Sequence, residues 1–137
     1  MQLIIHKIQH IGVPVTDINR SVAFYEQLGF KSVMNSSFKI EDEPGGLVAM
    51  MQSGEVIIEL YQLPVSQLAQ IAERKNGHID HIAFDVEDID ACYEELKQNG
   101  FTPLEEAPVF LAFWQKGCKY FNILGPDGER LEFNQVL

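Results

Sequence analysis

The chain has 137 residues, of which 46% are apolar and 22% charged, proportions of a folded domain rather than a disordered one. Ten Lys and Arg against 20 Asp and Glu give a net charge of −10, which disfavours nucleic acid and anionic membrane as partners because both would repel it. No stretch approaches the roughly 20 apolar residues of a membrane span, and the N-terminus lacks the apolar run and cleavage site of a secretory signal. Cys92 and Cys118 are too few for a disulfide framework and lack CxxC spacing. They are expected as two free thiols of a cytoplasmic protein.

The predicted elements run as follows. Residues 5–15 are rich in Ile and Val and read as a strand. Asp17 is a candidate helix N-cap, Ile18, Val22, Tyr25 and Leu28 recur at helical spacing, and Gly29 supplies the stop. Strands are expected near 31–40, 46–52 and 55–62, with Pro44-Gly45-Gly46 as a turn signal. Residues 64–77 read as a linker with a short helix from Ser66 to about Arg74. Residues 79–86 then form a strand, Asp88 caps a helix with the buried stripe Ile89, Cys92, Tyr93 and Leu96, and Gly100 ends it. The last strands are expected near 101–105, 118–124 and 129–136, with a turn at Gly125-Pro126-Asp127-Gly128.

This order repeats itself. Shifted by 71 positions, residues 10–30 fall on 81–101 and match at His10/His81, Ile11/Ile82, Val15/Val86, Asp17/Asp88, Ile18/Ile89, Gln27/Gln98, Gly29/Gly100 and Phe30/Phe101. Gly54-Glu55-Val56-Ile57-Ile58-Glu59-Leu60 resembles Gly128-Glu129-Arg130-Leu131-Glu132-Phe133 with one residue removed. The fold class is therefore α+β, a single domain over 1–137 built of two βαβββ modules, about 5–63 and about 78–136. Two repeats are too few for a solenoid, so the modules are expected to pack on each other.

Strand alternation places His10 and His81 on the face opposite Ile11, Val13, Ile82 and Phe84, and sets Glu59 and Glu132 opposite Ile58, Leu60, Leu131 and Phe133. The apolar faces would pack on the helices, and the four polar residues would enter a cleft. Two neutral imidazoles and two carboxylates suit a divalent ion such as Ni, Co, Zn, Mn or Fe. Any one of the four alone reads more simply as a hydrogen-bonded or solvated side chain. Four at equivalent places in a repeat point to a metal site, because burying an unpaired carboxylate is costly. His6 and His78 lack this support and read as structural or surface residues.

His10-Ile11-Gly12-Val13, Phe24-Tyr25, Leu28-Gly29-Phe30, Glu59, His81-Ile82-Ala83-Phe84-Asp85-Val86 and Gly125-Pro126-Asp127-Gly128-Glu129-Arg130-Leu131-Glu132-Phe133 resemble the vicinal oxygen chelate superfamily. That family includes glyoxalase I, methylmalonyl-CoA epimerase, extradiol dioxygenases, fosfomycin-resistance enzymes and bleomycin-resistance proteins. The resemblance covers essentially the whole chain and implies paired modules in a curved, incomplete barrel around a metal. The His, Glu, His, Glu order is similar to that of glyoxalase I. The CoA epimerases usually carry Gln at the place of Glu59, and the bleomycin-resistance branch lacks the metal set. Pro14 and Leu63 stand where bacterial glyoxalase I places an Arg and an Asn on glutathione, so glutathione itself is not supported as the thiol.

The resemblance implies a glyoxalase I-like lyase or isomerase that moves a proton next to a metal-bound carbonyl, with Glu132 as base and Glu59 as ligand and partner. An acyl-thioester epimerase and a non-catalytic binder of a drug or metabolite are the alternatives. The expected partner is a small carbonyl or thioester substrate, and a homodimer is implied by resemblance. Tyr61, Asp85, Arg130 and Asn134 share strand faces with the ligands and are candidate substrate contacts, Arg130 for an anionic group or simply as a surface residue. The apolar run Pro108-Val109-Phe110-Leu111-Ala112-Phe113-Trp114 offers Phe113 and Trp114 as a pocket wall or lid. A buried loop or a dimer contact would produce the same pattern.

Overall fold

The computed structural model describes residues 3–27, 29–74, 79–124 and 130–137. The strands are β1 (Ile5–Pro14), β2 (Lys31–Ile40), β3 (Glu43–Ser53), β4 (Val56–Gln62), β5 (His81–Val86), β6 (Val109–Leu111), β7 (Cys118–Leu124) and β8 (Arg130–Val136). The helices are α1 (Ile18–Gln27), α2 (Leu68–Glu73) and α3 (Ile89–Gln98). A 3₁₀ turn, Val65–Gln67, leads into α2.

The chain divides into two compact units, His10–Asp80 and Met1–Gln9 with His81–Leu137. The division falls inside β1, so the N-terminal residues belong with the second half. In the first unit the strand order is β2-β3-β4-β1, and in the second it is β5-β8-β7-β6. β1 and β4 pair in parallel, as do β5 and β8, whereas the other pairs are antiparallel. Each unit is thus a βαβββ module with the same internal topology: the helix carries the chain over, and the last strand returns beside the first.

Local sequence explains the helices. Asp17 Oδ1 accepts the Arg20 backbone N–H at 3.0 Å, and Asp88 Oδ1 accepts that of Ala91 at 2.9 Å, so both acids are N-caps. Gly29 and Gly100 take φ of 91° and 86°, the left-handed stop that a glycine supplies without a Cβ clash. In the first unit Ile18, Ala49, Met51 and Leu60 form the core, with Val13, Val15, Val22, Tyr25, Phe30 and Ile58 against it. In the second, Ile89, Cys92, Tyr93 and Leu96 of α3 pack on Val86, Phe121, Ile123 and Phe133. The helical stripes and the strand faces therefore match the sequence periodicity, with Leu28 outside the described residues.

Three expectations are corrected or bounded. Pro44-Gly45-Gly46 is not the turn, because it opens β3; the two-residue turn is Glu41-Asp42, with φ of 48° and 67°, between the paired Ile40 and Glu43. The ladder shifts register between Phe38 and Ile40, and a bulge there tolerates a proline that has no N–H to give. Residues 101–105 are irregular rather than a strand, and the short edge strand of this half is β6. Leu104 makes one ladder bond, to the Asn122 carbonyl at 2.8 Å. At the next step the Glu105 carboxylate, not a backbone carbonyl, takes the Asn122 N–H at 2.7 Å. The expected turn at Gly125-Pro126-Asp127-Gly128 lies outside the described residues, as does His78.

Among the described residues no helix is long and apolar enough to cross a membrane. Cys92 and Cys118 are both free and buried. Burial, helped by Glu95 and Asp88, pushes the Cys92 thiol up to about 11. An unfolded thiol titrates near 8.5, so the stabilisation is complete below that pH and is lost as pH rises toward 11. Cys92 is therefore expected to stay unlabelled by a thiol reagent at pH 7.5 in the native chain and to react only after denaturation. A Cβ on Gly46 would lie 2.6 Å from the Phe38 ring. Gly46→Ala is expected to cost about 1–3 kcal/mol, read as a lower urea midpoint.

Candidate metal centre

Parallel pairing fixes the four residues. In the first unit Glu59 lies opposite Gly12, two residues after His10. In the second Glu132 lies opposite Ala83, two residues after His81. Each His thus stands one same-face step before a small residue that faces the Glu, and the step is identical in the two units. Gly12 and Ala83 are both buried, so neither puts bulk beside the carboxylate.

The side chains meet within each unit. His10 Nε2 lies 3.3 Å from Glu59 Oε2, and their side chains are 2% and 12% exposed. His81 Nε2 lies 3.5 Å from Glu132 Oε2, at 7% and 10% exposed. Both separations exceed the roughly 2.7–2.9 Å of a charge-assisted hydrogen bond. Each imidazole nitrogen thus faces a carboxylate oxygen at a looser separation than a tight ion pair has.

The second unit adds polar residues around Glu132. Asn134 Nδ2 donates to Glu132 Oε1 at 2.7 Å, and Gln9 Nε2 donates to Asn134 Oδ1 at 2.7 Å. Asn122 lies directly across the β7–β8 pair from Glu132 and so shares its face. The Glu105 carboxylate takes the Asn122 Nδ2 at 2.8 Å, while Asn122 Oδ1 is buried without a hydrogen-bond partner.

The other candidates scatter. Tyr61 follows Glu59 on the same face, half-buried, and pairs with Pro14 and Val48. Asp85 lies 3.3 Å from the His6 ring in an exposed contact. Arg130 is exposed and pairs with His81 in register. Phe113 is buried beyond β6, and Trp114 is half-buried with a φ of 64°, a strained conformation for a bulky residue. The Trp114 indole N–H is buried without a partner.

Sequence reasoning missed two features. Gln62 and Gln135 accept the first helical N–H of α1 and α3, from Ile18 at 2.9 Å and from Ile89 at 3.1 Å. Each sits three residues after a ligand candidate, as Glu59-Leu60-Tyr61-Gln62 and Glu132-Phe133-Asn134-Gln135. The repeated Glu-x-x-Gln was the available signal. Gln9 gave none, because its parity assigns it to the apolar face with Ile11 and Val13. In fact Gln9 and His10 are both buried, so both faces of β1 are covered there.

The model of the glyoxalase/bleomycin resistance protein/dioxygenase superfamily matches residues 7–133. The uncharacterized protein YwbC of Bacillus subtilis (strain 168) is 34% identical over 133 residues, 94% of this chain and 97% of that protein. The crystal structure of methylmalonyl-CoA epimerase from Mycobacterium tuberculosis has a TM-score of 0.78 at 19% identity, covering 100% of this chain and 92% of that one. A Streptomyces coelicolor methylmalonyl-CoA epimerase in complex with 2-nitronate-propionyl-CoA has a TM-score of 0.75 at 24% identity, over 97% and 96% of the two chains. The α+β fold of paired βαβββ modules is the one these enzymes share.

Gln62→Leu and Gln135→Leu each leave a helix-initiating N–H without its acceptor. Each is expected to lower the unfolding free energy by about 1–3 kcal/mol. Urea denaturation checks this, and an unchanged midpoint would show that the helix starts need no anchor on the last strand of their module.

Proposed function

This chain belongs to the glyoxalase/bleomycin resistance protein/dioxygenase superfamily, and we propose that it is a metal-dependent lyase or isomerase of glyoxalase I-like type. It shifts a proton at the carbon next to a carbonyl of a small substrate. The observation that carries the reading is the identical register of the two His–Glu pairs, His10 with Glu59 and His81 with Glu132.

The donor set fits a divalent ion. Two imidazole nitrogens and two carboxylate oxygens suit Ni, Co, Zn, Mn or Fe, and the carboxylates offset the charge. Burying two carboxylates without a cation beside them would be costly. Asn122 Oδ1, a buried acceptor without a partner, is consistent with a further group at this face. His10, Glu59, His81 and Glu132 would hold the ion, and its chemistry is Lewis-acid polarisation that makes the neighbouring C–H more acidic.

The chain supplies the proton transfer. Glu132 takes the proton from carbon onto a carboxylate oxygen and returns it, a contribution of typically 10²–10⁴-fold. Glu59 occupies the equivalent place in the first unit and acts as ligand and partner. Pro14, at the end of β1, carries no donor for a glutathione carboxylate, so a different thiol adduct or a free carbonyl compound fits this reading. A homodimer belongs to the same reading.

A second reading keeps the proton transfer and changes the substrate. Two fold neighbours are methylmalonyl-CoA epimerases, one of them holding a CoA thioester analogue, which favours return of the proton to the opposite face of the same carbon of an acyl thioester. Hemithioacetal isomerisation with several thiols, set against solvent-deuterium exchange into acyl thioesters, separates the two.

Protein purified without chelator is expected to hold close to one divalent ion per chain and to lose it in His10→Ala and in His81→Ala. Metal-free wild type would remove the reading in favour of a plain binding protein. Glu132→Gln is expected to cut turnover by about 10²–10⁴-fold. Full turnover in that variant, with its metal retained, would move the base elsewhere.

A further inference from the structure

The second unit contains a buried polar chain that ends on Glu132, and its other two members have no part in the proposed chemistry. Gln9, Asn134 and Glu132 are all buried, and they are linked in one direction. Gln9 Nε2 donates to Asn134 Oδ1, and Asn134 Nδ2 donates to Glu132 Oε1, each at 2.7 Å. The other carboxylate oxygen, Oε2, is the one that faces His81.

The direction follows from chemistry. An ionised carboxylate only accepts hydrogen bonds, so it requires the NH₂ end of the Asn134 amide. A free amide can present either end. The NH₂ group of Gln9 meets the Asn134 carbonyl and so leaves only the donor end for Glu132. We propose that Gln9 and Asn134 are positioning residues that engage Glu132 Oε1 and thereby direct Oε2 toward His81 and the bound ion.

The first unit has no amide at the equivalent place, because Tyr61 stands two residues after Glu59 where Asn134 follows Glu132. The repeat thus treats its two carboxylates differently, and the amide clamp belongs to Glu132. The inference rests on the reading of Glu132 as a ligand. It adds that residues outside the ligand set govern the strength of the site. Partners that orient a metal ligand in this way typically affect metal affinity by about 10–100-fold.

Titration of the apo chain with Co²⁺, followed by its visible absorption bands, tests this, with thermal melts of the same apo samples. Gln9→Met and Asn134→Leu are expected to weaken Co²⁺ binding by about 10–100-fold and to shift the bands. Gln9→Glu is the discriminating variant. Its carboxylate accepts from Asn134 Nδ2 and turns Oδ1 toward Glu132, so it is expected to bind Co²⁺ more weakly than Gln9→Met. Added negative charge alone would strengthen cation binding, and a purely structural role would lower the melts without ordering the affinities this way. Variants that bind Co²⁺ like wild type, or a Gln9→Glu that binds as well as Gln9→Met, would overturn the clamp and leave the metal reading standing. A wild-type chain that takes up no Co²⁺ would overturn the metal reading and the clamp with it.

Discussion

In each βαβββ unit the last strand returns parallel to the first, and the rest of the site depends on that pairing. It sets Glu59 against Gly12 and Glu132 against Ala83. A slip of one residue would turn every side chain of the strand to the other face, sending the carboxylate into the apolar layer and Leu60 or Phe133 out of it. Leu60 and Phe133 are core residues, so the hydrophobic layer under the helix holds the register that the polar face needs. Gln62 and Gln135 strengthen the same arrangement by tying each helix start to the strand that carries the Glu.

On this common scaffold the two halves have diverged. Opposite Glu59 the neighbouring strand offers Met50, whereas opposite Glu132 it offers Asn122. Two residues beyond the Glu stand Tyr61 in one half and Asn134 in the other. The half with Glu132 therefore has amides where the half with Glu59 has a thioether and a phenol. Equivalent carboxylates thus stand in unequal surroundings.

Much of this was legible in the sequence, because the repeat reports the same fact twice. His10 alone is an ordinary strand histidine, but His10 and His81 at matching places, each followed by an apolar strand and a capped helix, define a common geometry. The irregular parts were not legible for physical reasons. Pro44-Gly45-Gly46 has the composition of a turn, yet it begins a strand beyond a bulge, and the turn itself falls on Glu41-Asp42, where no glycine signals the positive φ. Residues 101–105 failed as a strand because the Glu105 side chain replaces a ladder bond, which no periodicity records. Gln9 was invisible because its parity sets it with Ile11 and Val13, and periodicity does not record that its amide meets Asn134.

The central claim is that the two equivalent His–Glu pairs serve one ion. Anomalous diffraction from a crystal of the metal-loaded chain, collected at the absorption edge of that metal, tests it most directly. The account predicts one dominant peak per chain equivalent, within roughly 2.0–2.2 Å of the Nε2 atoms of a His10 and a His81 and of one carboxylate oxygen from a Glu59 and a Glu132. A peak ligated by other residues, or well-ordered His–Glu pairs with no peak beside them, would contradict it.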